Sequence, residues 1–311
     1  MYFRKVYFIF LIVVSLSLFL GCENAAVEVS ASDRSLRVTV TTGMIADTAR
    51  NIGGELIQVE QLMGPGVDPH LYKATHSDLK RLSNADLILY NGLHLEGRMV
   101  DVLAQMNSYT RTLALAEKIP EDKLRSLEDY PGNQDPHVWM DLSLWRYVVE
   151  AMRDIFIELD PENADYFTSN TDSFLLEMEE LDAYTKDAIG SIPVNARVLV
   201  TAHDAFGYFG SAYGIEVMGL QGISTAAEYG LQDVERMVNT IIDHKIPAIF
   251  VETSVSTRGM EALLAGVRAK GNEVRIGGEL YGDALGGEGT PQGTYLGMIR
   301  HNVDTITEAL R

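Results

Sequence analysis

Between positions 161 and 189 the chain reads PENADYFTSNTDSFLLEMEELDAYTKDAI, with no glycine and with proline only at its first residue. Pro161 suits the first turn of a helix, which has no use for that N–H, and Asp160 stands where a cap would. Phe167, Phe174, Met178, Leu181 and Ala188 recur at the spacing of one helical face. Gly190 and Pro193 end the pattern. The spacing predicts one uninterrupted helix of roughly 28 residues, about 42 Å long. Such a helix either packs inside one domain or joins two domains as a stiff rod.

On both sides of it, short β-branched runs alternate with helix-period segments. Before it, 36–41, 56–62, 86–90 and 112–115 read as strands, and 45–52 and 77–82 as helices, the second capped by Ser77. After it, 197–201, 248–251 and 274–277 read as strands, and 231–244, 259–269 and 294–310 as helices. This rhythm predicts an α/β fold with mainly parallel sheets, because parallel strands need a helical crossover. With the long helix between two such halves, two lobes are expected, 36–160 and 191–311, each with its own core and joined through 161–190.

Residues 1–21 are a different kind of segment. Arg4 and Lys5 precede an apolar run over 6–20, broken only by Ser15 and Ser17, and no acid occurs before Glu23. This is the pattern of a secretory signal peptide. The run is about 15 residues, short of the roughly 20 that span a bilayer. Cys22 follows directly, after Leu18-Phe19-Leu20-Gly21. That resembles a bacterial lipobox, with Phe19 where leucine is usual, and it makes Cys22 the expected lipid attachment site. Residues 22–35 then form a small, polar tether. The mature chain is expected in the cell envelope, outside the cytoplasmic membrane, in the periplasm or on the outer face, held to the membrane through its lipid only. A lone cysteine leaves no intramolecular disulfide and no cysteine-based zinc site.

The chain carries 44 acidic and 25 basic residues, a net charge of −19. Phosphate neutralisation needs a basic face, so a nucleic-acid partner is not expected. The balance suits a cation. No P-loop motif GxxxxGK[ST] is present, so an ATPase would have to be a separate protein.

Of seven histidines, three fall where a parallel sheet gathers its functional loops. His70 lies in a loop after the second strand, His137 in Asp135-Pro136-His137-Val138-Trp139 ahead of a helix opened by Asp141, and His203 just beyond the strand ending at Thr201. Asp283 follows the 274–277 strand in a glycine-rich loop. Segments leaving parallel strands meet at one edge, where ligands bind. Three imidazoles and a carboxylate at that edge would suit a borderline divalent metal in the interlobe cleft. The same residues also read as ordinary histidines, since no HxH or HExxH pattern is present. His76, His94, His244 and His301 lie in or beside helices and read as surface or helix-face residues.

Taken together, GVDPHLY at 66–72, NGLHLEG at 91–97, DPHVWMD at 135–141, TAHDAFGYF at 201–209, LQGISTAAEYG at 220–230 and YGDALG at 281–286 resemble the zinc- and manganese-binding solute-binding lipoproteins of ABC transporters, the TroA/ZnuA-type family. The resemblance covers 36–311. It implies two α/β lobes on one long helix, an interlobe metal site of His70, His137, His203 and Asp283, and no catalytic residues. It also implies a monomer that delivers Zn2+, or Mn2+, as cargo to a membrane permease with its own ATPase. Many manganese-selective relatives carry glutamate where this chain has His203, and many zinc-uptake relatives carry a histidine-rich loop where 117–135 has none. Imidazole-rich ligation favours zinc, while a bidentate Asp283 would accommodate manganese. Asp204 and Glu252 are candidates to orient the imidazoles from behind, as metal-bound histidines require. The competing readings are a metal-dependent hydrolase and a surface adhesin. With ordinary imidazole pKa values near 6.5, affinity should fall as pH drops from about 7 to 5.

Cys22→Ser is expected to release the protein from the membrane fraction and to leave metal affinity unchanged. Fractionation of cells expressing either form, with a metal titration of each, checks this; a variant that stays membrane-bound like wild type rules out the anchor.

Overall fold

The computed structural model describes residues 35–127 and 132–311. The signal peptide, Cys22 and all of the tether but Ser35 lie outside the described residues. In the first half, β1 (Leu36–Val40), β2 (Ile57–Gln61), β3 (Leu87–Tyr90) and β4 (Arg111–Ala114) form a parallel sheet in the order β2-β1-β3-β4. The crossovers are α1 (Gly43–Gly53), α2 (His76–Asn84) and α3 (Val100–Met106). The cap of α2 is Thr75 in place of Ser77. Its hydroxyl accepts from Asp78 N at 3.3 Å while its own N–H donates to the Asp78 carboxylate at 2.8 Å. This reciprocal pair satisfies two donors where a lone serine satisfies one.

The half ends with α4 (Leu142–Leu159), which Asp141 does open: its Oδ1 accepts from Ser143 N at 2.8 Å. A 3-10 turn, Pro161–Asn163, then leads into α5 (Ala164–Gly190), 27 residues and about 40 Å of helix. Asp160 stands at the N-cap of that turn, where its carbonyl accepts from Asn163 N at 3.3 Å and its carboxylate accepts from Asn163 Nδ2 at 2.7 Å in place of a backbone N–H.

In the second half, β5 (Val198–His203) pairs in parallel with β6 (Glu216–Gln221), and β7 (Ala248–Glu252) with β8 (Arg275–Leu280). The helices are α6 (Gly207–Tyr213), α7 (Leu231–Asp243), α8 (Arg258–Ala269) and α9 (Tyr295–Leu310). The end of β5 is tied to the end of β7 by His203 N, which donates to Glu252 Oε1 at 2.8 Å. β6 escapes the sequence pattern because glycine interrupts it. Gly219 lies against the backbone of His203 and Asp204, where a Cβ would collide.

Phe167, Phe174, Met178 and Leu181 of α5 are buried as the spacing predicts, and Ala188 is half-buried. The helix packs on α1 and α4 from the first half and on α6 and α9 from the second. One apolar cluster therefore runs through both halves, from Val38, Ile45 and Trp145 through Phe174 and Met178 to Leu199, Phe250 and Tyr295. The expectation of a separate main core in each half does not hold. Smaller clusters private to one half surround Leu82 and Met99, and Ile241 and Leu263. Polar contacts reinforce the join: Tyr295 N donates to Asp47 Oδ2 at 2.8 Å, and the Trp145 and Tyr295 rings lie 5.4 Å apart. Among the described residues no helix is long and apolar enough to cross a membrane.

A shared core predicts one unfolding transition. Phe174→Ala removes a ring that is 4% exposed and should cost about 3–5 kcal/mol. Urea unfolding followed by tryptophan fluorescence and far-UV circular dichroism checks this; two separated transitions would contradict the shared core.

Candidate metal centre

The sequence Asp-Pro-His occurs twice, at 68–70 and 135–137, and it folds the same way at the backbone each time. His70 N donates to Asp68 Oδ1 at 2.8 Å, and His137 N donates to Asp135 Oδ1 at 3.0 Å. An aspartate accepting from the residue two ahead makes a tight turn that the intervening proline favours. Each turn presents its imidazole toward the second half. From that half come His203, which is the last residue of β5 and not a loop residue beyond it, and Asp283, three residues past β8.

These four residues offer donor atoms that all lie within 4.8 Å of one another. His70 Nε2 is 3.3 Å from His137 Nε2. Asp283 faces all three rings: Oδ1 is 3.4 Å from His137 Nε2, and Oδ2 is 3.2 Å from His203 Nε2 and 3.8 Å from His70 Nε2. His137 and His203 are 0% exposed, Asp283 2% and His70 4%, so His70 is the donor nearest solvent. Among the described residues, His203 Nε2 and both Asp283 oxygens are buried without a hydrogen-bond partner. Polar atoms so placed are costly unless a cation satisfies them.

Carboxylates behind the rings aim the Nε2 atoms inward. Asp135 Oδ1 lies 2.8 Å from His137 Nδ1, and Glu252 Oε2 lies 2.7 Å from His203 Nδ1. An acceptor on one ring nitrogen leaves the other free for a metal. Glu252 lies behind His203, in ion-pair contact at Nδ1. Asp204 has no such contact: among the described residues its carboxylate makes no hydrogen bond to a site imidazole, and its backbone N–H donates to Gln221 O at 3.1 Å. Asp135 takes the role instead. Its signal was the repeated Asp-Pro-His itself, with an acid two residues ahead of a ligand candidate.

Two further residues shape the cleft. Gly282 sits where a Cβ would strike the Glu252 carboxylate and lie 3.1 Å from the His203 ring; its carbonyl accepts from Trp139 Nε1 at 2.9 Å. Arg125 reaches across from the first half. Its Nη1 donates to Gly207 O at 2.6 Å and Ser211 Oγ at 2.7 Å, while its Nε is 3.5 Å from Asp135 Oδ2. His76, His94 and His244 are exposed, and His301 lies 3.0 Å from the carbonyl of Glu279; none belongs to the cluster.

The rings differ in their hold on a proton. Burial pulls the His70 imidazole down to about 3. Burial also opposes charge on His137, yet Asp135 and Asp283 outweigh it and push that ring up to about 9. His203 is raised well above the ordinary value because Glu252 and Asp283 overcome its burial. In return, His203 and His137 hold Asp283 well below the usual carboxylate range despite its burial.

Two α/β halves on one helical spine, with an imidazole-rich donor cluster between them, have the architecture of a metal-binding solute-binding protein. Residues 38–309 match the family described as zinc-uptake complex component A, periplasmic, and the chain belongs to that family. It is 48% identical over 295 residues to the manganese-binding lipoprotein MntA of Bacillus subtilis, covering 94% of each chain. It is 47% identical over 281 residues to the zinc-binding protein TroA of Treponema pallidum, covering 90% of this chain and 91% of TroA. The solved structure of that periplasmic zinc-binding protein superposes with a TM-score of 0.87, covering 89% of this chain and 99% of TroA.

The proton affinities move the pH window expected from unperturbed histidines. A metal must displace the protons on His137 and His203, whose pKa values are raised, so affinity should keep rising with pH through about 7 and up to about 9. His70, already neutral above about 3, contributes nothing over that range. Calorimetry of zinc binding at pH 7 in buffers of different ionisation enthalpy should show about two protons released. A buffer-independent enthalpy, with affinity level above pH 7, would mean both rings are neutral there.

Proposed function

We propose that this chain captures a divalent transition metal, zinc or manganese, outside the cytoplasmic membrane and delivers it to an ABC permease driven by a separate ATPase. The observation that carries the reading is the buried convergence of His70, His137, His203 and Asp283 from both halves, with polar atoms that find no hydrogen-bond partner among the described residues. Membership of the zinc-uptake family supports it, as do two relatives of nearly equal identity, one named for manganese and one for zinc. In this reading the protein is a lipid-anchored monomer held by Cys22, with lobes at 36–160 and 191–311 and the linking helix at 161–190. The metal is cargo and the chain is not an enzyme. A catalytic zinc site keeps a coordination position for water beside three protein ligands, whereas four protein groups converge here. Three imidazoles favour zinc at equal free concentration.

The test titrates the metal-free protein with zinc and with manganese, beside His203→Ala and Asp283→Ala. Wild type should bind one ion, and its melting temperature should rise because the ion binds only the folded state. Each variant should bind at least about tenfold more weakly, about 1.4 kcal/mol, while circular dichroism shows it folded. Wild type that binds neither ion, or variants that bind as tightly, would refute the assignment.

A further inference from the structure

The two Asp-Pro-His turns are alike at the backbone and unlike at the second carboxylate oxygen. Asp135 is fully buried, and its turn oxygen also meets the ring of its own histidine. Among the described residues, Asp68 makes no hydrogen bond to the ring of its own histidine. Its Oδ2 accepts from Thr225 Oγ1 at 2.6 Å, across the cleft and 157 positions further along the chain.

Thr225 stands on the segment between β6 and α7, and that segment is itself held. Gln221, the last residue of β6, donates through Nε2 to Thr225 O at 2.7 Å and to Ala227 O at 2.6 Å. Gln221 is also the ladder partner of His203 in the β5–β6 pair. A continuous path therefore runs from His203 through the ladder to Gln221, through the loop to Thr225, across to Asp68, and through the turn to His70 N. It links the donor most enclosed by the second half to the donor nearest solvent in the first.

We infer that the Asp68–Thr225 hydrogen bond is a latch that holds His70 in place and the cleft shut, which makes Thr225 a positioning residue for metal retention. The inference rests on the metal-capture reading of the site. Thr225 supplies no donor to the cluster, and its side chain bonds the turn that carries His70. Breaking the bond frees the His70 turn from the opposite wall without removing a metal donor. Its effect should fall on release, because the bond has to open before the His70 turn can move away from the opposite wall. A hydrogen bond to a charged acceptor contributes enough for a change of about tenfold.

Thr225→Val keeps the shape and loses the hydroxyl, and Thr225→Ser keeps the hydroxyl. Stopped-flow release of zinc into excess chelator, and association measured separately, should show release from Thr225→Val about tenfold faster, with association within about twofold of wild type. Thr225→Ser should release at the wild-type rate. Thr225→Ala carries the same comparison if the valine variant does not fold. If wild type binds zinc and the hydroxyl-free variant releases it no faster, the latch is refuted and the capture reading stands. Release from Thr225→Ser as fast as from Thr225→Val also refutes it, since the hydroxyl would then not be the cause. If wild type binds neither zinc nor manganese, the capture reading falls and the latch with it.

Discussion

Three imidazoles and a carboxylate are held out of water with donor atoms within 4.8 Å of one another, and the surrounding structure is arranged around the cost of doing so. Left alone, such groups would shift their protonation or let water in. Here Asp135 and Glu252 stand behind two of the rings and fix which nitrogen faces inward. Gly282 removes the side chain that would otherwise occupy the space beside Glu252, and Trp139 covers His137 with its ring at 5.2 Å. Each of these residues answers the same need: keeping the donors dry, oriented and close enough to share one ion.

That closeness needs both halves in fixed register, and the apolar interior supplies it. The loops carrying His70 and His137, and the end of β5 and the loop after β8 that carry His203 and Asp283, belong to halves whose sheets share no ladder among the described residues. What sets their separation is α5, whose buried face packs on helices of both halves. Tyr295 adds a polar tie, its hydroxyl donating to Trp139 O at 2.8 Å. Buried apolar surface, contributing roughly 25 cal/mol per Å2, outweighs these single hydrogen bonds as the source of rigidity. The hydrogen bonds decide where the pieces sit.

Much of this was legible in the sequence, for reasons that differ by element. The long helix was readable because a glycine-free stretch with a single apolar face has few other ways to fold. The four donor residues were singled out by two signals together: parallel strands gather the segments that leave them at one edge, and the stretches around His70, His137, His203 and Asp283 resemble those of the metal-binding lipoproteins. β6 was not, since Gly219 answers to a backbone approach from residues 203–204 that no local pattern records. The cap at Thr75 was missed because Ser77 is an equally good capping residue, and only the position of Asp78 decides between them. Asp204 was singled out by adjacency to His203, but a residue next to one at a strand end tends to point to the opposite face; Asp135, which was not singled out, lies two residues ahead of His137 in a turn, from where it reaches the ring. The unequal proton affinities of the three rings lay beyond any sequence reading, because burial and facing charge set them together.

The core that runs through both halves has a consequence for how such a protein can diversify. Residues that set thermal resilience, such as Phe174 and Met178, lie in the same interior cluster that fixes the spacing of the two halves, while the candidate metal donors and the cleft wall lie on turns and strand ends. Editing a turn need not weaken the body, but repacking the interior shifts the frame against which the donors are set. A lineage built on this plan can turn to a new diet of metals by changing a few turns, whereas adapting to heat or cold has to keep the register of the two halves.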